Sequence, residues 1–501
     1  MANRAAHLFR RAEEMADKPA IIFGQESLTF GELASRVRAM AAALANLGIG
    51  KGARVGIYLP SSPDIVVVQQ ALFVLGATVT PLNVMYRTGE IAHAIACCEL
   101  HFILTDDALG APIACEAERL DCRAFSIDDE VLQALNKLNA PGQPAEVSPA
   151  DPAMLLLTSA TTGKAKGVIL SAANLAANYD ATPNWLGLSS EDTILCALPL
   201  YNTFGLNQGI NAMLVTGATM ILLPRFDVEQ VIAAISHHAC TFLPAVPTML
   251  QRIFDHPEAS DGSLRSLRRI MTGGAPVPGA LLARILEKAP EVEVLTGYGL
   301  TEATALVTLA KVELGQDGEL LHGRTIGRVL DGMRLAIRDD RGQDCAAGYS
   351  GEIVVQGPNV MQGYHKAPDD TASVLRDGWL HTGDIGYLDA DGYAFIVDRK
   401  KDVIIRGGQN IYPIEIEDVL YRCSNVAEAA VIAGDDEDLG EVPVAFVAPT
   451  AGCRIDTNEL AECCRAELAH YKRPAAIHVL DELPKGPTGK ILRRALREMA
   501  L

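Results

Sequence analysis

Four side-chain hydroxyls, two lysines and two glycines fall within residues 158–167: Thr158, Ser159, Thr161, Thr162, Gly163, Lys164, Lys166 and Gly167. An apolar run at 155–157 leads in and a second at 168–170 leads out, the pattern of strands joined by a polar loop. Small residues let backbone N–H groups approach a polyanion, hydroxyls add donors and lysines add charge. The chemistry this suits is phosphate binding. The stretch is not the P-loop pattern, because no Gly-Lys-Ser/Thr closes it, and a polar surface turn would use the same residue types.

The segment Thr158-Ser159-Ala160-Thr161-Thr162-Gly163-Lys164-Ala165-Lys166-Gly167 resembles the nucleotide-binding loop of the acyl-adenylate-forming superfamily. That superfamily includes acyl-CoA synthetases, adenylation domains and beetle luciferases. Five motifs occur in the family's order, and the resemblance covers essentially the whole chain. The family usually has Gly where Ala160 stands and often Pro where Ala165 stands.

The resemblance implies a nucleotide site built from Thr158, Ser159, Thr161, Thr162, Gly163 and Lys166, together with Gly274, Ala275, Pro276, Tyr298, Gly299, Asp384 and Arg399. In Tyr298-Gly299-Leu300-Thr301-Glu302, it gives Tyr298 to the adenine, Thr301 to the α-phosphate and Glu302 to Mg²⁺. A carboxylate is a hard oxygen ligand, and Mg²⁺ usually takes one or two of them plus phosphate oxygens; a helix N-terminus would also favour Glu302. In Thr382-Gly383-Asp384, the carboxylate is implied to accept both ribose hydroxyls, which explains Asp over Asn; a turn is the plainer use of such a residue. In Lys485-Gly486-Pro487-Thr488-Gly489-Lys490, Lys490 takes the catalytic position of the family's last loop. Lys401 matches the hinge residue, with Arg399 reaching the ribose, and Gly407 and Gly408 face the pantetheine arm of coenzyme A.

The acid would lie against Tyr201, Asn202, Phe204, Gly273 and Gly297. Acyl-CoA synthetases commonly carry His where Asn202 stands; Asn donates a hydrogen bond but does not titrate. Malonate-type relatives place a basic residue where Gly297 stands, so an uncharged aliphatic or aromatic tail is favoured. The implied reaction is ATP-dependent activation of a carboxylic acid as acyl-AMP, followed by transfer to coenzyme A. Loading of a carrier-protein phosphopantetheine and a non-catalytic ligand-binding role stay open as alternatives.

These residues need a scaffold. At 501 residues the chain exceeds one ordinary core, so several domains are expected. Helical and strand-like segments alternate over 20–150. Thr29 and Glu32 read as the capping box of a helix running to Leu44, and Gly48 and Gly50 end the pattern. The expected fold is α/β: a large N-terminal domain of mostly parallel sheets flanked by helices, with a β-rich subdomain around 351–384 and a small mobile α+β C-terminal domain. The expected boundaries are 1–397, a hinge at 398–402 marked by the charge run Asp398-Arg399-Lys400-Lys401-Asp402, and 403–501. Residues 255–266, with Pro, Asp, Gly and Ser, read as an exposed loop.

Hydrophobic content of 49% with 21% charged residues is ordinary globular composition, and a net charge of −19 argues against nucleic acid or an anionic membrane as main partner. Breaks such as Gly76 and Pro81, or Pro199 and Gly205, make the uncharged stretches 65–86 and 193–224 buried α/β core, with no stable membrane insertion. The 11 cysteines show no C-x-x-C spacing, which fits reduced thiols in a cytoplasmic protein. The expected partners are a small carboxylic acid, ATP and coenzyme A, and a homodimer is left open.

Overall fold

The computed structural model describes residues 2–128, 144–158, 165–274, 277, 279–315, 320–322, 325–399, 402–407, 409–423, 425–436, 438–450, 452–485 and 491–500. Helix Phe30–Asn46 starts where the sequence places it: Glu32 N–H donates to Thr29 Oγ1 at 3.2 Å and Thr29 N–H donates back to Glu32 Oε2 at 2.9 Å. Two otherwise orphaned donors are thereby satisfied. Helix Pro63–Val74, buried at every residue but Asp64, is followed by strand Thr78–Pro81, so 65–86 is buried α/β structure as expected.

Among the described residues, two large sheets form most of the large body, with a further two-stranded pair, Glu313–Leu314 and Leu320–Leu321. A seven-stranded sheet runs Gly363–Tyr364, Gly167–Ser171, Pro152–Leu157, Thr78–Pro81, Arg54–Tyr58, Phe102–Thr105, Arg123–Ser126. Neighbours are parallel from Pro152–Leu157 onward, and antiparallel where Gly167–Ser171 joins. The second, fourteen-stranded sheet is parallel from Pro19–Phe23 through Thr219–Leu222, Thr193–Cys196, Phe242–Ala245 and Arg269–Gly273 to Glu293–Leu300. There it reverses. Ala305–Lys311, Thr325–Val329, Ala394–Arg399, Trp379–Leu388, Gly351–Gln356 and Arg334–Arg338 continue it with antiparallel pairing, which is the expected β-rich part. One apolar cluster, including Phe30, Leu72, Val79, Leu156, Phe242 and Val294, runs between the sheets and their helices.

From residue 404 onward the chain builds its own hydrophobic clusters. Strands Gly440–Pro449 and Val426–Asp436 pair along most of their length, joined by Ile404–Arg406, Gln409–Ile411 and Ala476–Val479. Ile404, Ile416, Leu420, Val431 and Leu460 pack on one face, and Ile432, Phe446, Leu483 and Leu496 on the other.

One local reading needs correction. The stretch 255–266 is not all exposed loop: a short helix, Asp261–Leu264, follows Ser260, whose N–H donates to Ser263 Oγ at 3.0 Å. Ala259 and Leu264, 6% and 1% exposed, anchor it to the core. After Asn202 the chain enters a π-helical run, Leu206–Asn211, which sequence period did not reveal. Two of its buried polar side chains are satisfied sideways: Asn207 Nδ2 donates to Thr182 Oγ1 at 3.0 Å and Asn211 Nδ2 to Tyr179 O at 2.6 Å; Gln208 Oε1 is buried without a partner among the described residues. No helix among the described residues is long and apolar enough to cross a membrane.

Candidate active site

Tyr298, Glu302, Asp384 and Arg399 lie on the part of the large sheet where pairing changes from parallel to antiparallel, or on the strands that continue it. Tyr298 lies in the last parallel strand, buried, and its hydroxyl donates to Asp384 Oδ2 at 2.6 Å. Arg399 stands opposite Asp384 in the ladder, with Nε 3.2 Å from Oδ1. Burial, with the Asp384 charge second, pushes the Tyr298 phenol well above its ordinary range, so it is a permanent donor here. Oδ2 of Asp384 thus holds one donor, and Oδ1 an ion pair with Arg399. A carboxylate has about four acceptor sites, so two remain for a vicinal diol.

The next residues make the reversal. Thr301–Ala303 form a single 3₁₀ turn, and Thr304 and Ala305 take φ of 55° and 88°. Such conformations cost energy in non-glycine residues and persist only when held from outside. The holding comes from 359–361: Thr304 Oγ1 donates to Asn359 O at 2.6 Å, Asn359 Nδ2 to Ala303 O at 2.9 Å, and Met361 N–H to Glu302 O at 2.8 Å. At Gly299 a Cβ would sit 1.5 Å from Ala305 O, so no other residue fits the turn.

Glu302 Oε1 accepts the Tyr364 hydroxyl at 2.9 Å. Strand Gly363–Tyr364 pairs with the strand leaving the polar loop, Tyr364 opposite Val168. Lys166 lies with Nζ 5.0 Å from the Tyr364 ring centroid and 2.7 Å from Asp370 Oδ1. Burial, then the Glu302 charge, raises the Tyr364 phenol. Loop lysine, aromatic hydroxyl and turn carboxylate are therefore physically linked. Among the described residues no three His, Cys, Asp or Glu side chains gather as a metal site. A lone, oriented carboxylate is a poor Zn²⁺ site, but it suits Mg²⁺ that completes its shell with phosphate oxygens and water.

At the loop itself, Thr158 N–H donates to Lys166 O at 3.1 Å and Lys166 N–H to Thr158 Oγ1 at 3.4 Å, closing its neck. Ser159, Thr161, Thr162 and Gly163 lie outside the described residues, as do Ala275, Pro276, Lys401, Gly408 and Lys490. The base of the last loop is described: Lys485 and Ile491 form an antiparallel bridge, and Lys485 Nζ is tied to Glu428 at 2.5 Å and Glu482 at 2.7 Å. Gly407, at φ +55°, turns the hairpin between Ile404–Arg406 and Gln409–Ile411.

The acyl candidates divide. Gly273 and Gly297 face each other in the ladder, and a Cβ on Gly273 would come 2.6 Å from Gly297 O. Gly274, next along, takes φ +79°. A Cβ on Gly297 would meet Leu306 Cδ1 at 2.7 Å, Met271 Cε at 2.8 Å and Thr308 O at 2.9 Å, with no charged group among these neighbours. Asn202 spends its side-chain oxygen on a cap, accepting Gly205 N–H at 3.0 Å, and Phe204 packs on the main core. Burial pushes the Tyr201 phenol up to about 12. Tyr364 is a functional candidate that sequence reading passed over. Its partner Glu302 is far away in sequence, and only the pairing of two distant strands brings them together.

Residues 8–365 match the family described as AMP-binding enzyme, and 415–490 match the AMP-binding enzyme C-terminal domain. The chain is 35% identical to the 3-[(3aS,4S,7aS)-7a-methyl-1,5-dioxo-octahydro-1H-inden-4-yl]propanoyl:CoA ligase of Rhodococcus jostii (strain RHA1), over 98% of this chain and 97% of that protein. Among solved structures it resembles ATP-bound MatB from Rhodopseudomonas palustris, with TM-score 0.92, 30% identity and coverage of 99% and 98% of the two chains. It also resembles o-succinylbenzoate CoA synthetase from Bacillus subtilis with its acyl-adenylate intermediate, with TM-score 0.87, 33% identity and coverage of 98% and 97%. The same enzyme with ATP and magnesium ion gives TM-score 0.85, 32% identity and coverage of 98% of each chain. From these matches, which cover nearly the whole chain, the chain belongs to the AMP-binding enzyme family, in its acyl-CoA synthetase branch.

Proposed function

We propose that the protein is an ATP-dependent acid–CoA ligase working in two half-reactions at this reversal. In the first, a carboxylate oxygen attacks the α-phosphorus of ATP, giving acyl-AMP and releasing pyrophosphate. In the second, the thiol of coenzyme A attacks the acyl carbonyl and AMP leaves. The nucleophile of the first step is already ionised, so no general base is needed there; the protein's work is positioning and charge stabilisation.

Asp384, steadied by Tyr298 and Arg399, holds the ribose hydroxyls, and Tyr298 lies against the adenine with Gly274, Ala275 and Pro276. Thr301 donates to the α-phosphate. Thr158, Ser159, Thr161, Thr162, Gly163 and Lys166 cradle the outer phosphates, with Lys166 exchanging Asp370 for phosphate oxygens. Mg²⁺, when bound, is held by Glu302 and neutralises phosphate charge. Lys490, on the loop whose base is fixed by Lys485 and Ile491, supplies the positive charge for adenylation. Residues 1–397 form the nucleotide and acyl domain, 398–402 the hinge with Lys401 as pivot, and 403–501 a lid that turns to present either Lys490 or the Gly407–Gly408 face.

The acid has an uncharged tail. Support comes from Gly297, whose neighbours Leu306 and Met271 offer no cation to a second carboxylate, and from the bicyclic dione named for the Rhodococcus relative. All 11 cysteines are free, which supports a reducing, cytoplasmic setting; a homodimer is the assembly to test by sedimentation. The observation that carries the reading is the pair of linked sets, Tyr298–Asp384–Arg399 and Lys166–Tyr364–Glu302. Pyrophosphate release over a panel of acids, with and without coenzyme A, tests it. Release that yields a thioester only when CoA is present is expected. Release without thioester would point to a carrier-protein acceptor, and no release with any acid to a binding protein.

A further inference from the structure

A buried charge network straddles the proposed hinge, and it is not symmetric about it. Asp398, next to last in strand Ala394–Arg399, is 6% exposed and belongs by its strand to the large body. Its Oδ2 accepts the Ile414 N–H at 3.2 Å, in the first turn of helix Pro413–Tyr421, and its Oδ1 lies 3.9 Å from Arg493 Nη1. Its Oδ1 also accepts the adjacent Arg399 N–H at 2.7 Å. On the small-domain side, Arg493 Nη2 donates to Glu417 Oε1 at 2.7 Å, and Glu417, also 6% exposed, takes the Val431 N–H at 2.7 Å. One turn further along helix Arg493–Ala500, Arg497 donates to Asp402 Oδ1 at 2.7 Å.

The two arginines therefore do different work. Glu417, Val431, Arg493, Asp402 and Arg497 all follow residue 401 and would turn together about it. Asp398 precedes it and would stay behind. Its contacts with Ile414 and Arg493 exist only in the orientation seen here. A buried carboxylate cannot lose its partners cheaply, because an uncompensated charge in a low-dielectric place is strongly disfavoured. The same carboxylate also complements the exposed N–H groups of a helix start.

From this juxtaposition we propose that Asp398 is a positioning residue: it latches the small domain in one of its two orientations by capping the Ile414 helix and facing Arg493, three residues beyond Lys490. It does not touch substrate, and it sets how often each face of the small domain meets the active site. The proposal rests on the two-orientation reading given above.

The test measures both half-reactions separately in the full-length protein: acid-dependent pyrophosphate release, and conversion of supplied acyl-adenylate plus CoA to thioester. Asp398→Ala is expected to move the two rates in opposite directions, changing their ratio about tenfold, the size expected from losing one charge-assisted hydrogen bond. Asp398→Asn, which still accepts the Ile414 N–H but faces Arg493 without charge, should shift the ratio in the same sense by less. Equal loss of both rates, or an unchanged ratio in folded Asp398→Ala, would overturn the latch. If Asp398→Ala does not fold, the Asp398→Asn ratio decides, and failure of both to fold would show Asp398 to be part of the scaffold. Lys490→Ala and Gly408→Leu serve as controls: if they fail to separate the half-reactions, the two-orientation reading itself is wrong, whereas separation there with no shift at Asp398 rejects the latch alone.

Discussion

Replacing Tyr364 with phenylalanine removes one oxygen and keeps the ring beneath Lys166. What disappears is the 2.9 Å donation to Glu302 Oε1. Hydrogen bonds to a charged acceptor contribute about 1.5–3 kcal/mol, and because neither partner is fully buried the lower end applies. If Glu302 holds Mg²⁺, that energy goes into orienting the ligand, and groups that orient a metal ligand typically change metal affinity by about 10–100-fold. A loss near 1.5 kcal/mol corresponds to roughly tenfold. Pyrophosphate release measured against free Mg²⁺ at fixed ATP should therefore show half-saturation shifted upward about tenfold, with the rate at saturating Mg²⁺ nearly restored. Urea unfolding should move by no more than about 1.5 kcal/mol. An unshifted Mg²⁺ curve in a folded variant would refute Tyr364 as the group that aims the carboxylate. A rate that saturating Mg²⁺ does not restore would instead place the hydroxyl on the reacting phosphates.

Lys490→Ala should abolish adenylation yet still convert supplied acyl-adenylate and CoA to thioester, and Gly408→Leu should do the reverse; equal loss of both halves in each would rule out domain alternation. Gly297→Ala forces a methyl within 2.9 Å of Thr308 O and against Leu306 and Met271, so denaturant unfolding should lose about 1–3 kcal/mol; full stability would mean the strands have slack. Burial pushes the Glu417 carboxyl up to about 7 from an ordinary 4.5, against the pull of Arg493 and with Asp398 and Asp418 nearby. A folded-state value above the unfolded one gives stability that is complete below about pH 4.5 and lost as pH rises towards 7. That loss is at most about 3 kcal/mol, and Glu417→Gln should flatten the stability profile between pH 5 and 7; an unchanged slope would sink the assignment.

Local chemistry settled much of this protein in advance. The Thr29–Glu32 capping box, the alternation of helix and strand, the breaks that exclude a spanning helix in 65–86, and the apolar strands flanking the polar loop are short-range matters. Hydrogen-bond offsets and side-chain period fix them within a turn or two. The motif residues Tyr298, Glu302, Asp384 and Arg399 were likewise visible as types and order along the chain. What the sequence could not assign was company. Asp384 meets Tyr298 across 86 residues, and Tyr364 meets Glu302 across 62, through strand pairings whose register no local rule specifies. The same holds for Asn202, whose side chain becomes a cap, and for the π-helical run behind it, where Asn207 and Asn211 meet Thr182, Tyr179 and Arg4 from distant parts of the chain. Residues 255–266 misled because Ser, Asp and Gly favour both turns and helix starts, and burial of Ala259 and Leu264 decided between them. Asp398 is the sharpest instance: in sequence it is one charge in a polar run, and only packing makes it a buried cap that joins one body to the other. Short-range forces name the parts, and long-range burial decides which of them touch, because desolvated polar groups must find partners wherever the fold provides them.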